Sequence, residues 1–195
     1  MRSPRLTGAL LALPLLLAAC GGDDGGTAAG AGGSTEGNVV AGDVDEGIDG
    51  VQLVRVPENL HAEGIVDYGL EPPAGGSHNQ VWLNCGFYDE PVADEHLVHD
   101  LEHGAVWLAY SPELAAADVE VLHDLARGND KVVATPYPSL PATTAVVATA
   151  WARQLTLDSV DDPRLAEFID QYVDGSQAPE AGVTCGSSSL GDPIP

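Results

Sequence analysis

Val51-Gln52-Leu53-Val54-Arg55-Val56 alternates apolar and polar residues, the period of a half-buried strand. Residues 57–80 break that pattern with turn formers, Pro72-Pro73-Ala74-Gly75-Gly76 at their centre. Val81-Trp82-Leu83 predicts a short strand. From Glu95 to His103 the period becomes helical, with Asp94 as N-cap and Gly104 as stop. Ala105 to Tyr110 reads as a buried strand. Ser111-Pro112 sets a cap before a proline, the favoured opening of a helix. In that second helix Leu114, Val121, Leu122 and Leu125 share a face, His123 falls opposite it as plain surface, and Gly128 closes it. Lys131 to Thr135 and Thr144 to Ala150 are β-rich, the latter running on towards Leu157, with a Pro-rich turn at Pro136 to Pro141 between them. Asp162-Pro163 opens a third helix with an apolar stripe of Leu165, Phe168, Ile169, Tyr172 and Val173, stopped at Gly175. No internal repeat is visible. This order predicts an α+β domain, a mainly antiparallel sheet with about three helices packed on one face.

The N-terminus follows a different logic. Arg2 and Arg5 precede an apolar run, Gly8 to Ala19, shorter than the roughly 20 residues of a membrane span. It ends in Leu17-Ala18-Ala19-Cys20, which resembles the lipobox of bacterial lipoproteins, where cleavage precedes a Cys that is then lipidated. Gly21 to Asn38 has nothing to bury and reads as a tether. The expected divisions are a signal peptide at 1–19, a lipidated Cys and Gly/Asp-rich tether at 20–48, the α+β domain at 49–175 and a C-terminal tail at 176–195. The protein is thus expected on the extracytoplasmic face of the cell membrane, held there by its lipid.

Composition narrows the partners. Thirty Asp+Glu against seven Lys+Arg give a formal charge of −23. Such a chain repels phosphate backbones, which excludes nucleic-acid binding, and attracts cations. With Cys20 assigned to lipid, Cys85 and Cys185 remain. Outside the cytoplasm an even pair becomes a disulfide. A loop that long is worth up to about 4.7 kcal/mol in the chain-entropy account, and it would pin the apolar-poor tail. The competing reading makes Cys85 a thiolate ligand beside histidines.

Five of the six histidines, His61, His78, His96, His99 and His103, lie between Val51 and His103. On a helix His96, His99 and His103 share one sector with Glu95, Asp100 and Glu102, opposite Leu97, Val98 and Leu101. That sector is either a solvated face or a metal face. His99 and His103 are one turn apart, the spacing that places two imidazoles on one ion; His96 lies too far along the axis to share it easily. His78 follows a Gly-Gly turn and His61 opens another loop, so both can be delivered to the helix. His99-Asp100-Leu101-Glu102-His103 also matches the H-x-x-E-H pattern of a peptidase class. A later-helix ligand is needed there, and Glu167, the one tempting acid, sits beside the apolar stripe. There is no G-x-S-x-G, no phosphate-binding loop and no C-x-x-C, and the single Met is Met1.

The segments His78-Asn79-Gln80-Val81-Trp82-Leu83-Asn84-Cys85-Gly86 and Val98-His99-Asp100-Leu101-Glu102-His103-Gly104-Ala105-Val106-Trp107 resemble domain-of-unknown-function family 3105, lipoproteins of high-GC Gram-positive bacteria. The resemblance runs from about Val51 to Cys185. It implies shared use of His61, His78, Asn84, Cys85, His99, Glu102 and His103, leaves His96 outside the pattern, and brings no activity with it.

The reading preferred on these grounds is a membrane-anchored lipoprotein with a site for a divalent transition metal, Zn²⁺ or Cu²⁺, and no organic cofactor. His99 and His103 form its core, His78 and His61 come next, and Glu102 is a ligand or a hydrogen-bond acceptor behind one. No residue is assigned a catalytic role. The rival is a non-enzymatic envelope interaction module with surface histidines, and the third reading is a small metallohydrolase.

Overall fold

The computed structural model describes residues 38–44, 47–56 and 58–195. The signal peptide, Cys20 and residues 21–37 of the tether lie outside the described residues. Seven strands and three helices follow: β1 (Asn38–Val44), β2 (Gln52–Arg55), β3 (Gly86–Phe87), α1 (Asp94–Glu102), β4 (Val106–Tyr110), α2 (Ala116–Gly128), β5 (Val132–Pro136), β6 (Val146–Ala150), β7 (Arg153–Leu157) and α3 (Pro163–Tyr172). They form one sheet in the order β1-β2-β7-β6-β4-β5-β3. The β1–β2, β2–β7, β7–β6 and β6–β4 pairs are antiparallel, and β4–β5 and β5–β3 are parallel. The α+β class and the mainly antiparallel sheet are as the sequence indicates.

The helices do not share one face. Leu122 of α2 and Leu165, Phe168 and Ile169 of α3 pack with Val106, Leu108, Val132 and Ala148. Leu97, Val98 and Leu101 of α1 pack with Trp107, Ala109, Val133 and Val147, the alternate residues of the same strands. Topology explains the split. The chain passes from β3 at the edge inwards to β4 through α1, then back outwards to β5 through α2. Crossovers between parallel strands are right-handed, so opposite directions of travel require opposite faces. β4, β5 and β6 are therefore buried along their whole length, which is why they read as continuous apolar runs rather than alternations.

Local departures have local causes. Residues 146–157 are two strands, because the chain reverses at Trp151-Ala152 (Ala152 φ 58°) and Ala150 pairs with Arg153. α2 begins at Ala116, since Ser111 Oγ accepts from Glu113 N at 3.2 Å and makes a turn ahead of the helix. Ala93 is the N-cap of α1; Asp94 instead accepts from Tyr137 OH at 3.0 Å. Asp162 caps α3 as expected, accepting from Arg164 N. Of Val81-Trp82-Leu83 only Leu83 bridges, in parallel to Leu190 of the tail. His123 is not plain surface: its ring is half-buried against Phe87, centroids 4.8 Å apart. Cys85 and Cys185 are disulfide-bonded, Cα atoms 5.4 Å apart.

Candidate metal centre

Helix α1 is nine residues long and buried on nearly all sides. Glu95, His99, Asp100 and Glu102 are buried along with Leu97, Val98 and Leu101. The histidine sector is therefore not wet. What covers it is the turn-rich segment 58–82, in which His61 and His78 pair as a parallel bridge, Ala62 N donating to His78 O and His78 N to Leu60 O. The Gly-Gly turn makes that approach possible. Gly75 has φ +135°, and a Cβ there would lie 2.8 Å from Val56 Cγ2.

Each imidazole is oriented from behind. His78 Nδ1 lies 2.9 Å from Gly76 O and His99 Nδ1 lies 2.7 Å from Asn79 O. A carbonyl only accepts, so both Nδ1 atoms carry the proton, and in the neutral rings Nε2 is left bare. His78 Nε2 then faces Glu102 Oε2 at 3.0 Å, while the other oxygen, Oε1, accepts from Asn59 Nδ2 at 3.2 Å. His99 Nε2 faces His103 Nε2 at 3.1 Å. Rings of His61, His78 and His99 lie with centroids 4.8–5.4 Å apart. Burial pulls the His99 pKa down to about 4, against the Asn79 carbonyl bond that would raise it, with neighbouring histidines adding to the depression. Burial lowers His103 too, outweighing the nearby Glu180 carboxylate. A neutral imidazole with its lone pair forward is the ligand form.

One ligand atom from each of His61, His78, His99 and Glu102 falls within 4.8 Å of all the others. Around a tetrahedral Zn²⁺ with bonds of about 2.0–2.1 Å, ligand atoms sit roughly 3.3 Å apart. The His78–Glu102 separation of 3.0 Å is close to such an edge. Three nitrogens and a carboxylate suit Zn²⁺ or Cu²⁺. His61 is exposed, whereas His78 and His99 are buried, so the set opens to solvent on the His61 side.

His103 stands apart from this set. It neighbours His99 but does not share the four-way cluster, and its Nε2 lies 3.7 Å from Glu180 Oε2. The structure thus brings the two loop histidines and Glu102 together with His99, where helical spacing alone favours His99 with His103. His96 is turned elsewhere, Nδ1 on Val81 O. Asn59, Gly76 and Asn79 were not legible as site residues, because two of them act through backbone carbonyls; the Gly-Gly turn was the one available sign. Trp82 flanks the site, 5.7 Å from His99 and 5.3 Å from His103. Asp100 does not belong to the polar sector at all. It is fully buried near the disulfide, and burial pushes its carboxyl well above the ordinary range although the Leu83 backbone and Lys131 pull it down.

Residues 60–187 match the family described as Protein of unknown function (DUF3105), and the chain belongs to that family. The matched span contains all four clustered residues, His103 and both disulfide cysteines. No curated protein and no solved structure matches the chain.

Proposed function

We propose that this chain is an extracytoplasmic lipoprotein, anchored through Cys20, whose domain binds one divalent transition-metal ion, Zn²⁺ or Cu²⁺, through His61, His78, His99 and Glu102. One observation carries the reading. His78 Nε2, in a fully buried side chain, faces the Glu102 carboxylate at 3.0 Å while its own Nδ1 is committed to Gly76 O. In the neutral ring two acceptors then face each other away from water, an arrangement that costs several kcal/mol unless a proton or a metal ion lies between them. A metal ion satisfies both, along with His99 Nε2.

The negative charge of the whole chain favours cation capture. The rival reading, surface histidines in an interaction module, fits poorly with His78, His99 and His103 all buried. The hydrolase reading needs Glu102 as a base beside the ion, whereas in the reading proposed Glu102 serves as a ligand. Elemental analysis of the tag-free chain before and after chelation tests the proposal. About one equivalent of Zn or Cu, lost in the His78→Ala variant, is expected; a metal-free chain that binds neither ion more tightly than about 10 µM, roughly −6.8 kcal/mol, overturns it. Fatty-acid labelling that depends on Cys20 tests the anchor.

A further inference from the structure

Helix α1 carries a second buried acid that the histidine centre does not use. Asp100 is fully buried, and beyond the Leu83 backbone its carboxyl has no hydrogen-bond partner among the described residues. One of those oxygens lies within 4.8 Å of both the Cys85 and the Cys185 sulfur, which are likewise within that distance of each other. A carboxylate beside a disulfide finds no donor there, because disulfide sulfurs neither donate a hydrogen bond nor carry charge. Beside two thiolates the same carboxylate becomes the third donor of a cation site.

The tail is held by hydrogen bonds as well as by the S–S bond. Cys85 N donates to Cys185 O at 2.9 Å, Asn84 Nδ2 to Gly191 O at 2.8 Å, Ser188 N to Asn84 Oδ1 at 2.8 Å and Ile194 N to Phe87 O at 2.8 Å. Reduction therefore leaves the two sulfurs opposite each other. Both cysteines border a cleft of about 470 Å³ with Asp130, Lys131 and Thr184, which gives a cation entry and leaves room for a water ligand.

We propose that the reduced chain holds a second, thiophilic divalent cation of the zinc class between Cys85 Sγ, Cys185 Sγ and the Asp100 carboxylate, so that the disulfide gates metal uptake. A dithiol reductant opens the gate. One of its thiolates attacks Cys85 Sγ, the more exposed sulfur, and the S–S bond breaks with Cys185 leaving as thiolate. The reductant's second thiol displaces Cys85, closing the reductant's own disulfide. Two electrons and two protons pass to the protein. The cation then displaces the protons from both thiols. Thiolates select Zn²⁺ or Cd²⁺ over Ca²⁺ or Mg²⁺.

The probe is Cd²⁺, titrated into the full chain in detergent, either oxidised or reduced with a phosphine that is then removed without oxygen. Thiolate-to-cadmium absorbance in the ultraviolet reports sulfur ligation alone, so the result stands apart from the histidine centre. The reduced chain is expected to bind one equivalent more than the oxidised chain and to gain the band. Cys85→Ser and Cys185→Ser each abolish the extra equivalent. Asp100→Asn keeps both thiols and weakens the extra binding by more than about tenfold. Equal stoichiometry in the two redox forms overturns the proposal, as does an extra equivalent that survives Cys85→Ser. Wild-type affinity in Asp100→Asn removes the carboxylate from the site. Loss of native circular dichroism on reduction also overturns the proposal, since it would leave no pre-built site.

Discussion

Replacing His78 with Ala separates the proposed four-residue metal set from the pair that helical spacing suggests. The ring is fully buried and its Nε2 is 3.0 Å from Glu102. Loss of an outer partner of a metal ligand costs about 10–100-fold in affinity, so loss of a ligand itself is expected at 100-fold or more, roughly 2.7 kcal/mol. Binding to the folded state alone stabilises it by RT ln(1 + [L]/Kd), about 4.1 kcal/mol at 1,000 times Kd. At the same metal concentration a hundredfold weaker variant keeps about 1.4 kcal/mol. For a domain of this size the difference corresponds to a metal-induced rise in Tm smaller by about 5–10 °C. The cavity left by the ring also lowers the metal-free Tm, so the quantity to compare is the increment on adding metal. Thermal melts of wild type, His78→Ala and His103→Ala, each with Zn²⁺ and with chelator, supply it. His103→Ala is expected to keep most of the increment, because His103 lies outside the four-way cluster. An unchanged increment in His78→Ala would refute the assignment. A larger loss in His103→Ala than in His78→Ala would return the site to the helical pair.

Three further outcomes follow from single groups. His99 has a folded pKa of about 4 against an ordinary 6.5. Between those values the unfolded chain binds a proton that the folded chain lacks, so acid destabilises. Relative to His99→Gln, the metal-free wild type should lose up to about 3 kcal/mol from pH 7 to pH 4 in denaturant melts. That difference isolates His99 from Asp94, whose carboxyl burial pushes up to about 6 and which acts with the opposite sign; parallel pH profiles would contradict the burial of His99. Gly75→Ala puts a Cβ against Val56 at a φ of +135°. It should cost about 1–3 kcal/mol by equilibrium unfolding and weaken metal binding as well, and wild-type stability would show that the turn is not constrained. Cys20→Ser should abolish fatty-acid labelling and leave the leader uncleaved, and equal labelling of variant and wild type would sink the anchor.

The parts of this molecule that were legible are those governed by local rules. Asp162-Pro163 and the stripe from Leu165 to Tyr172 announce α3, and the strand at Val106–Tyr110 follows from an unbroken apolar run. Where long-range pairing decides, the local reading fails. Val81-Trp82-Leu83 looks like a strand, yet its partner is the tail a hundred residues on, and the contact shrinks to one bridge at Leu83. β3, at two residues, is too short for any period. In the site, His99 and Glu102 are visible as a helical pattern. That His78 and His61 join them depends on the loop folding back through Gly75 and Gly76. Asp100 is misread for the same reason. By helical angle it belongs with the polar residues, but the disulfide and tail close over its side of α1.

That burial bears on why the helix is polar at all. A buried ion pair or polar cluster is often no more stable than a well-packed apolar replacement of the same volume. α1 nonetheless buries Glu95, His99, Asp100 and Glu102 within nine residues. Glu95 has an ordinary explanation, since its carboxylate accepts from Val66 N at 2.8 Å and ties down the covering loop. Glu102 does not. Asn59 Nδ2 holds one of its oxygens, while the other faces His78 Nε2, whose Nδ1 is committed to Gly76 O. A side chain held from behind with its lone pair forward is the arrangement by which outer partners set up a metal ligand. With a neutral His78 and no ligand, these two forward atoms would be left unpaired. A metal ion bound there would offset the cost of burying α1, and the metal-dependent increment in Tm measures that offset directly.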